Sequence, residues 1–471
     1  MAYHHTVPRE CLHLTRVGRF TGQRDIFGKA MTMLRALFIV VTIIPSVAAS
    51  QSPRSLTVEE AVRLGLQNNR SLHASQMKVA AADARAGEVR TTRFPLLKVS
   101  GSYTRLSEIE PFAVQLPFVP APITISPVVL DNYASRVSLQ QPIFSGFKLS
   151  NTIAAAEYAG RATGYDYAMD RSDLIFAIRS AYWNLFKALE SRRVVDENVD
   201  LMERHLADIR NMNAAGLATR NDVLKVEVQL SNSRLSQIDA ANAVSIATMS
   251  LDNLLGLPLE TPIEIASRLH PSSDSLKPVD AYVDEASTAR PDLRAAGLRV
   301  SASDASLGAA RGSRYPQIFL SGNLYYSRPN PRILPTKDEF KNTWDVGVNI
   351  SFDLWNWGAT SYQTEQAEAA LEQSQDALQL LKDAASLEVR QSYLALRQAQ
   401  RKVPVAQEGV SQAEENYRVA QSRFKAGNAT STDLLDAEVA LLQAGMNRAA
   451  ALVDLELARA RLVKSLGKEE E

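Results

Sequence analysis

Two short stretches with one pattern decide the fold: GLATRND at residues 216–222 and GNATSTD at residues 427–433. In each stretch, a glycine is placed to end one helix in a left-handed conformation, and a threonine is placed to begin the next helix. The aspartate three residues after that threonine completes the pattern of a capping box. The stretches therefore predict two tight turns between helices, in two copies of one unit.

The duplication extends outward from these turns over most of the chain. A constant shift of 211 residues aligns residues 142–256 with 353–467, and a shift of 221 aligns residues 72–101 with 293–322. A register kept over more than 100 residues indicates an internal repeat. The shift changes by ten residues within the proline-rich stretch 102–141, which predicts an irregular loop of variable length.

Each copy is predicted to contain a helix, a β-hairpin, a long helix and a last helix, in that order. Along the chain we expect a presequence (1–49, with a signal peptide at about 31–49), the first repeat (50–256), a linker (257–281) and the second repeat (282–471). The paired elements are first helices at 55–93 and 282–314, hairpins at 96–141 and 317–352, long helices at 147–215 and 358–426, and last helices at 217–255 and 428–466.

The length of the long helices limits how they can pack. A helix of 69 residues would measure roughly 100 Å, which no single small domain can bury. We therefore expect the long helices to lie against each other as a coiled coil. The shorter helices would stack end to end and together match one long helix.

The hairpin strands resemble strands of a membrane barrel. Apolar residues alternate with small or polar ones, most clearly in WDVGVNISF at residues 344–352, and tilted strands of about ten residues cross a bilayer. Four strands cannot close a barrel, which needs about eight, and lipid does not tolerate an open edge. Several chains must then contribute, and three would supply twelve strands. Trp344, Trp355 and Trp357 fall where an interfacial belt would lie; a soluble four-stranded sheet is the alternative.

The first 49 residues carry the pattern of an export signal. Arg35 precedes an apolar run at 36–44 and small residues that end at Ala49, as in a secretory signal peptide; an N-terminal membrane anchor is the alternative. Because the only cysteine is Cys11, we expect the mature chain to lack disulfides, thiolate metal sites and a lipid anchor. Lys+Arg and Asp+Glu both number 52, and this balance argues against a nucleic-acid partner.

The sequence contains no recognisable catalytic motif. A phosphate-binding glycine loop, His-Glu-x-x-His and Gly-x-Ser-x-Gly are all absent. His73, His205 and His270 are far apart in sequence, and each is interpreted as a surface residue. We therefore expect no enzymatic activity, no cofactor and no bound metal.

Three motifs give the chain a resemblance to the TolC-like outer-membrane efflux proteins, over about residues 55–467. They are RPDLRAA at 290–296, PIFSG at 142–146 and the paired turns quoted above. The resemblance implies an internally duplicated α+β membrane protein, in which three chains close a twelve-stranded β-barrel in the outer membrane of a Gram-negative bacterium. A long α-helical coiled-coil barrel would extend into the periplasm. The implied partners are two further copies of the chain, a periplasmic adaptor (membrane-fusion) protein, a proton-driven or ATP-driven inner-membrane pump, and outer-membrane lipid.

The resemblance also assigns roles to residues of the two turns. Asp433 and Asp436 match an acidic ring at the periplasmic aperture. The tip hairpins that seat the adaptor are matched by Gly216, Leu217, Ala218, Thr219, Asp222, Gly427, Ala429 and Thr430. The candidates for a link that closes the channel are Arg220, Asp222 and Phe424.

Two of these assignments have alternatives. Helix capping alone would explain Asp222 and Asp433, but it does not explain Asp436, one turn further along. Ala429 and Phe424 stand where the best-known member of the family has an arginine and a tyrosine. The closed-state link is therefore weaker here, or Arg220 supplies it.

The predicted function is a passive exit duct of a tripartite efflux system for small toxic compounds. One alternative is the exit duct of a type I protein-secretion system. From another class, the alternative is a periplasmic adaptor or a structural coiled-coil protein. An adaptor would show one helical hairpin and compact β-domains, whereas two full copies and four barrel-type strands favour the duct.

Overall fold

The computed structural model describes residues 54–126, 128–267 and 275–468. The predicted presequence and signal peptide, 1–49, lie outside the described residues. In chain order the elements are β1 (Arg54–Leu56), α1 (Val58–Asn68), α2 (Arg70–Thr91), β2 (Leu96–Arg105), β3 (Phe112–Val114), β4 (Ile123–Ser126), β5 (Asp131–Phe144), α3 (Lys148–Ala214), α4 (Arg220–Leu255), β6 (Ile263–Ile265), α5 (Val279–Ala289), α6 (Pro291–Gly312), β7 (Gln317–Arg328), β8 (Lys341–Ser351), α7 (Ala359–Lys425) and α8 (Ser431–Ser465).

The helices α3 and α7, of 67 residues each, form the frame of the molecule. Each is roughly 100 Å long at 1.5 Å per residue. Near the sheet the helices lie side by side in the order α2, α3, α6, α7, and near the turns in the order α4, α3, α8, α7. The short helices thus extend one another along the long ones, as predicted, and α7 and the α2/α4 pair occupy the two edges.

The predicted first helices, 55–93 and 282–314, are each two helices, and the predicted continuity was wrong. Asn69 has extended backbone angles, and its side chain accepts hydrogen bonds from the N–H groups of Ser71 and Leu72 at 2.9 and 3.1 Å. An asparagine that caps a new helix in this way ends the preceding one. In the second copy Pro291 begins α6 and forces Arg290 out of the helical conformation.

Two segments predicted to be irregular contain short strands. β6 lies in the predicted linker and pairs in parallel with β1, from Arg54 with Ile263 to Leu56 with Ile265. β3 and β4 form a small antiparallel pair inside the proline-rich loop. Strands of three or four residues carry too little alternation to be predicted from sequence.

The four long strands form one antiparallel sheet in the order β2, β5, β7, β8. β5 of the first copy pairs with β7 of the second, so the two copies meet in the middle of the sheet. β5 ends at Phe144, three residues beyond the predicted hairpin limit, after an irregularity that follows Pro142. β2 and β8 have no partner on their outer sides within the described residues.

The largest apolar core surrounds Tyr182 of α3, which is 0% exposed. The Tyr182 hydroxyl donates a hydrogen bond to the Leu56 carbonyl at 2.8 Å and accepts one from the Ser267 N–H at 3.1 Å. A buried tyrosine hydroxyl needs such partners. The same residue therefore fixes β1 and the segment after β6 to the long helix.

Candidate functional sites at the helical tips and on the sheet

The turns at the helical tips have the predicted left-handed glycines. Gly216 and Gly427 have φ angles of +76° and +75°. At the first turn the N–H of Leu217 donates to the Met212 carbonyl at 2.8 Å, and the N–H of Gly216 donates to the Asn213 carbonyl at 3.0 Å. The second turn repeats both bonds at 2.8 and 2.9 Å. These paired bonds are those of a Schellman motif, which satisfies the last carbonyls of α3 and α7.

Both predicted capping boxes are present. The Asp222 N–H donates to Thr219 Oγ1 at 3.2 Å, and the Thr219 N–H donates to Asp222 Oδ2 at 3.1 Å. At the second turn, the Asp433 N–H donates to Thr430 Oγ1 at 3.2 Å, and the Thr430 N–H donates to Asp433 Oδ2 at 2.8 Å. The bonds from the threonine hydroxyl and N–H lower the pKa of Asp222 and of Asp433 below the ordinary aspartate value. Both aspartates therefore have a capping role, and a further role at an aperture stays a prediction.

Three other side chains at the tips are exposed to solvent. Asp436 and Arg220 are exposed, and neither side chain forms a hydrogen bond or ion pair with any residue that the structure describes. Leu217, at the apex of the first turn, is 73% exposed. These side chains are available for contacts with other molecules.

Phe424 lies inside the tip and not on its surface. It is 2% exposed and belongs to an apolar cluster between α3, α4, α7 and α8. Its ring meets the His205 ring edge to face, with centroids 5.2 Å apart. Within one chain the buried ring holds the tip core together, and its place in a link between chains stays a prediction. Ala218 and Ala429 are half-buried beside the same cluster.

His205, interpreted from the sequence as a surface residue, is buried between α3 and α8. Its Nδ1 lies 3.0 Å from Glu438 Oε2 and its Nε2 lies 3.1 Å from Ser431 Oγ. The side chains of His205 and Glu438 are each 1% exposed. A carboxylate is buried only where it is paired or hydrogen-bonded, so this contact ties the two tip hairpins together. His73 is exposed, as predicted, and His270 lies outside the described residues.

The two sides of the sheet differ in polarity. Residues that face each other on neighbouring strands point to the same side of the sheet, so they form rows across the strands. One side, here called the polar face, contains two cross-strand rows: Ser100, Arg136, Tyr325, Thr343, and Lys98, Ser138, Asn323, Asp345. The other side, the apolar face, contains Val99, Val137, Leu324, Trp344, and Leu97, Leu139, Gly322, Val346. Val99, Trp344 and Val346 are between 67% and 72% exposed, as expected of a lipid-facing surface.

Exposed aromatic residues lie at both ends of the apolar face. At the end far from the helices, Tyr103 contacts Tyr133 with ring centroids 5.0 Å apart. At the end next to α7, Trp355 and Trp357 are 5.8 Å apart and are 76% and 84% exposed. Two aromatic girdles on either side of an apolar band are typical of strands that cross a bilayer.

The two edge helices also carry exposed apolar stripes. On α7 the residues Leu380, Leu387 and Leu394, seven apart, are 57% to 70% exposed. At roughly 100° per residue they lie on the side of α7 opposite Val389 and Leu396, which are buried. α4 carries a second stripe, which consists of Leu224, Val228, Leu235 and Ile238.

A membrane-type sheet with two open edges, continued by a helical layer with two open edges, defines a subunit of a channel with a long helical extension. Residues 61–257 and 282–468, which correspond to the two copies, match the family described as outer membrane efflux protein. The chain belongs to this family. Within the described ranges, no helix is both long enough and apolar enough to cross a membrane.

Individual relatives agree with this assignment. The chain is 22% identical to the outer membrane protein TolC of Vibrio cholerae, over 46% of this chain and 50% of that protein. It is 24% identical to the probable efflux pump outer membrane protein TtgC of Pseudomonas putida, over 64% of this chain and 60% of that protein. The match thus spans about half the length of these curated relatives. The solved outer-membrane channel OprN has the same fold, with a TM-score of 0.74, 20% identity, and coverage of 88% of this chain and 90% of that chain.

Family membership answers two questions that the sequence left open. The protein is located in the outer membrane of a Gram-negative bacterium and extends into the periplasm. The alternative of a periplasmic adaptor or a structural coiled-coil protein is thereby excluded. The matched family and the solved structures are channels and not enzymes.

Proposed function

We propose that three copies of this chain form a closed tunnel across the outer membrane and the periplasm. The observation that carries this proposal is that the sheet ends in two unlike edges, β2 and β8, and the helical layer also ends in two unlike edges, the α2/α4 pair and α7. If β8 and α7 of one chain pair with β2 and the α2/α4 pair of the next chain, a single rotation gives every open edge of the sheet and of the helical layer a partner. A head-to-tail contact of this kind makes a ring when the rotation closes, and three chains supply the twelve strands of a barrel.

In such a ring the polar face lines the lumen and the apolar face contacts lipid. The tunnel is a passive exit duct without catalysis, and an inner-membrane pump supplies the energy. The cargo class we propose is small toxic compounds, in keeping with the efflux role in the name of TtgC.

The helical tips are the proposed contact with the rest of the efflux system. Exposed Leu217 and the glycine turns would seat a periplasmic adaptor, and Arg220 is available for a link between chains in the closed state. Asp433 and Asp436 would form the acidic aperture. Asp436 is better suited to that role, because its carboxylate is not already occupied by a helix cap.

The ring is tested by native mass spectrometry of the protein extracted from outer membranes in detergent. We expect a trimer, and a stable monomer that is soluble without detergent would contradict the proposal. Function is tested in a strain that lacks its own duct but has the cognate pump and adaptor. Restored resistance to small toxic compounds supports efflux, whereas rescue only of polypeptide secretion would indicate a type I secretion duct.

A further inference from the structure

The loop between β7 and β8, residues 329–340, begins by folding over the polar face of the sheet. Asn330 is 3% exposed, and its side-chain amide donates to the Lys341 carbonyl at 3.1 Å and to the Thr343 hydroxyl at 3.2 Å. Its Oδ1 accepts a hydrogen bond from the Arg332 N–H at 3.0 Å. A buried asparagine with these bonds fixes the start of the loop against the strands.

Arg332 and Arg136 then meet over one aromatic ring. The Arg332 guanidinium lies 4.4 Å from the centre of the Tyr325 ring and donates to Asp345 Oδ2 at 2.5 Å. The Arg136 guanidinium lies 5.2 Å from the same centre and donates to Asn323 Oδ1 at 2.6 and 3.1 Å. Cation–π contacts with the ring hold both guanidinium groups in place. We call Arg136, Tyr325, Arg332 and Asp345 the exit cluster.

The exit cluster has an excess of positive charge. It contains two guanidinium groups and one carboxylate, and that carboxylate forms an ion pair with Arg332. Arg136 forms no ion pair within the described residues, and its hydrogen-bond acceptor, Asn323, is uncharged. Lys98, in the neighbouring row of the same face, likewise has no ionic partner among those residues. Positive charges ordered on a wall and facing a narrow aqueous space attract anions.

We propose that the exit cluster is an anion-attracting constriction of the barrel, near its outer end. Its ligands are small anions and the carboxylate, sulfonate or phosphate groups of cargo. The inference rests on the proposed function, because the polar face must line the lumen. The tunnel then has charges of opposite sign at its two ends, with acidic residues at the periplasmic tips and guanidinium groups at the exit.

The experiment compares neighbouring cysteines on the two faces of β2, in a chain in which Cys11 is replaced by serine. Ser100→Cys faces Arg136 across the strand pair, and Val99→Cys lies on the apolar face. The assembled protein in lipid vesicles is treated with an anionic and a cationic methanethiosulfonate reagent of similar size. The measured quantity is the ratio of the two modification rates, corrected by the ratio for a free thiol.

We expect Ser100→Cys to react faster with the anionic reagent and Val99→Cys to react with neither. Arg136→Gln or Arg332→Gln should lower the ratio at Ser100→Cys by about tenfold, the lower end of electrostatic focusing in clefts. Asp345→Asn should raise it. At about 1 M salt, where the screening length is ~3 Å, the differences should shrink.

The outcomes separate this inference from the proposed function. If Ser100→Cys reacts but the ratio is the same with and without the two arginines, the exit cluster does not attract anions and the duct stands. If Val99→Cys reacts and Ser100→Cys does not, the polar face is not the lumen, and both proposals fail. Should Arg332→Gln prevent assembly, Arg136→Gln decides the question, because the Arg136 side chain forms its hydrogen bonds with Asn323 and none with the loop among the described residues.

Discussion

Glu227 and Glu438 hold equivalent positions in the two copies, but their surroundings differ. Glu227 is half-buried and pairs with Arg210 at 2.6 Å, a contact within the first tip hairpin. Glu438 is 1% exposed and contacts His205 of the other copy. The difference arises because α8 lies between α3 and α7, whereas α4 lies at an edge. Because the duplication makes the two positions equivalent in sequence, it could not predict that Glu438 contacts His205, a residue 233 positions away.

The His205–Glu438 contact predicts an unusual pattern of mutant stabilities. His205→Leu leaves the Glu438 carboxylate buried without its partner, and we expect a loss of roughly 2 kcal/mol in tip stability. The double change His205→Leu with Glu438→Leu removes the unpaired charge and should recover most of that loss. Limited trypsin digestion at the tip, where Arg423 and Lys425 are exposed, measures the effect. Equal cleavage rates in the single and double variants would contradict this account.

Asp436 distinguishes an aperture residue from a capping residue. Asp436→Asn removes a charge with little change in shape and breaks no hydrogen bond among the described residues. If Asp436 lines the aperture, planar-bilayer recordings should show reduced cation preference and weaker block by multivalent cations. The channel should otherwise assemble normally. Unchanged selectivity and block would leave both tip aspartates with structural roles only.

The helices, strands and turns that the sequence predicted correctly are those with a signal in nearby residues. The glycine turns, capping boxes, strand alternation and long helices all follow from residues close in sequence. In the sequence, the RPDLRAA motif indicated only the resemblance to the family. Its physical role is seen in the structure. Arg290 is 6% exposed and donates to Asp292, to Glu388 at 2.7 Å and to the Ser465 carbonyl at 3.1 Å. Burial lowers the pKa of Arg290, but the bonds to Asp292 and Glu388 outweigh it and raise that pKa.

The tip turns give a prediction that separates backbone strain from docking. A non-glycine residue in the left-handed conformation costs about 1–2 kcal/mol, and asparagine tolerates it best. Apart from Gly427 and its chain neighbours, no described residue has an atom within 4 Å of the position that a Cβ would take at Gly427, so Gly427→Asn should leave assembly and export nearly normal. Gly427→Arg should insert into the membrane equally well but abolish export, because a long side chain would obstruct the adaptor that we propose to dock at this turn. Membrane fractionation and a drug-resistance assay measure the two properties.

Gly216→Arg gives the same test at the first turn, which is equally open. If export survives Gly216→Arg and Gly427→Arg together, the tips do not dock an adaptor in the proposed way. If Gly427→Asn fails as completely as Gly427→Arg, backbone strain and not docking is the cause.

The sequence predicted that the strands could not close a barrel within one chain, but it did not predict which elements form the open edges. That information comes from the pairing of β5 with β7 and from the packing of α8 between the long helices. Both involve residues from different copies, for which a single sequence carries no local signal. The edges in turn explain why Leu380, Leu387 and Leu394 face away from their own chain.

The last prediction concerns this α7 stripe. An exposed apolar stripe with a seven-residue period is typical of a coiled-coil contact, and in the proposed ring it packs on the α2/α4 edge of the next chain. Leu387→Glu would bury a charge in that contact, so we expect partial or complete loss of the trimer on native gels, while the single chain still folds because Leu387 is exposed within it. Gln375→Glu, another exposed position of α7 but away from the stripe, introduces the same charge and should leave the trimer intact. A trimer of wild-type stability in Leu387→Glu would show that α7 does not form the contact between chains.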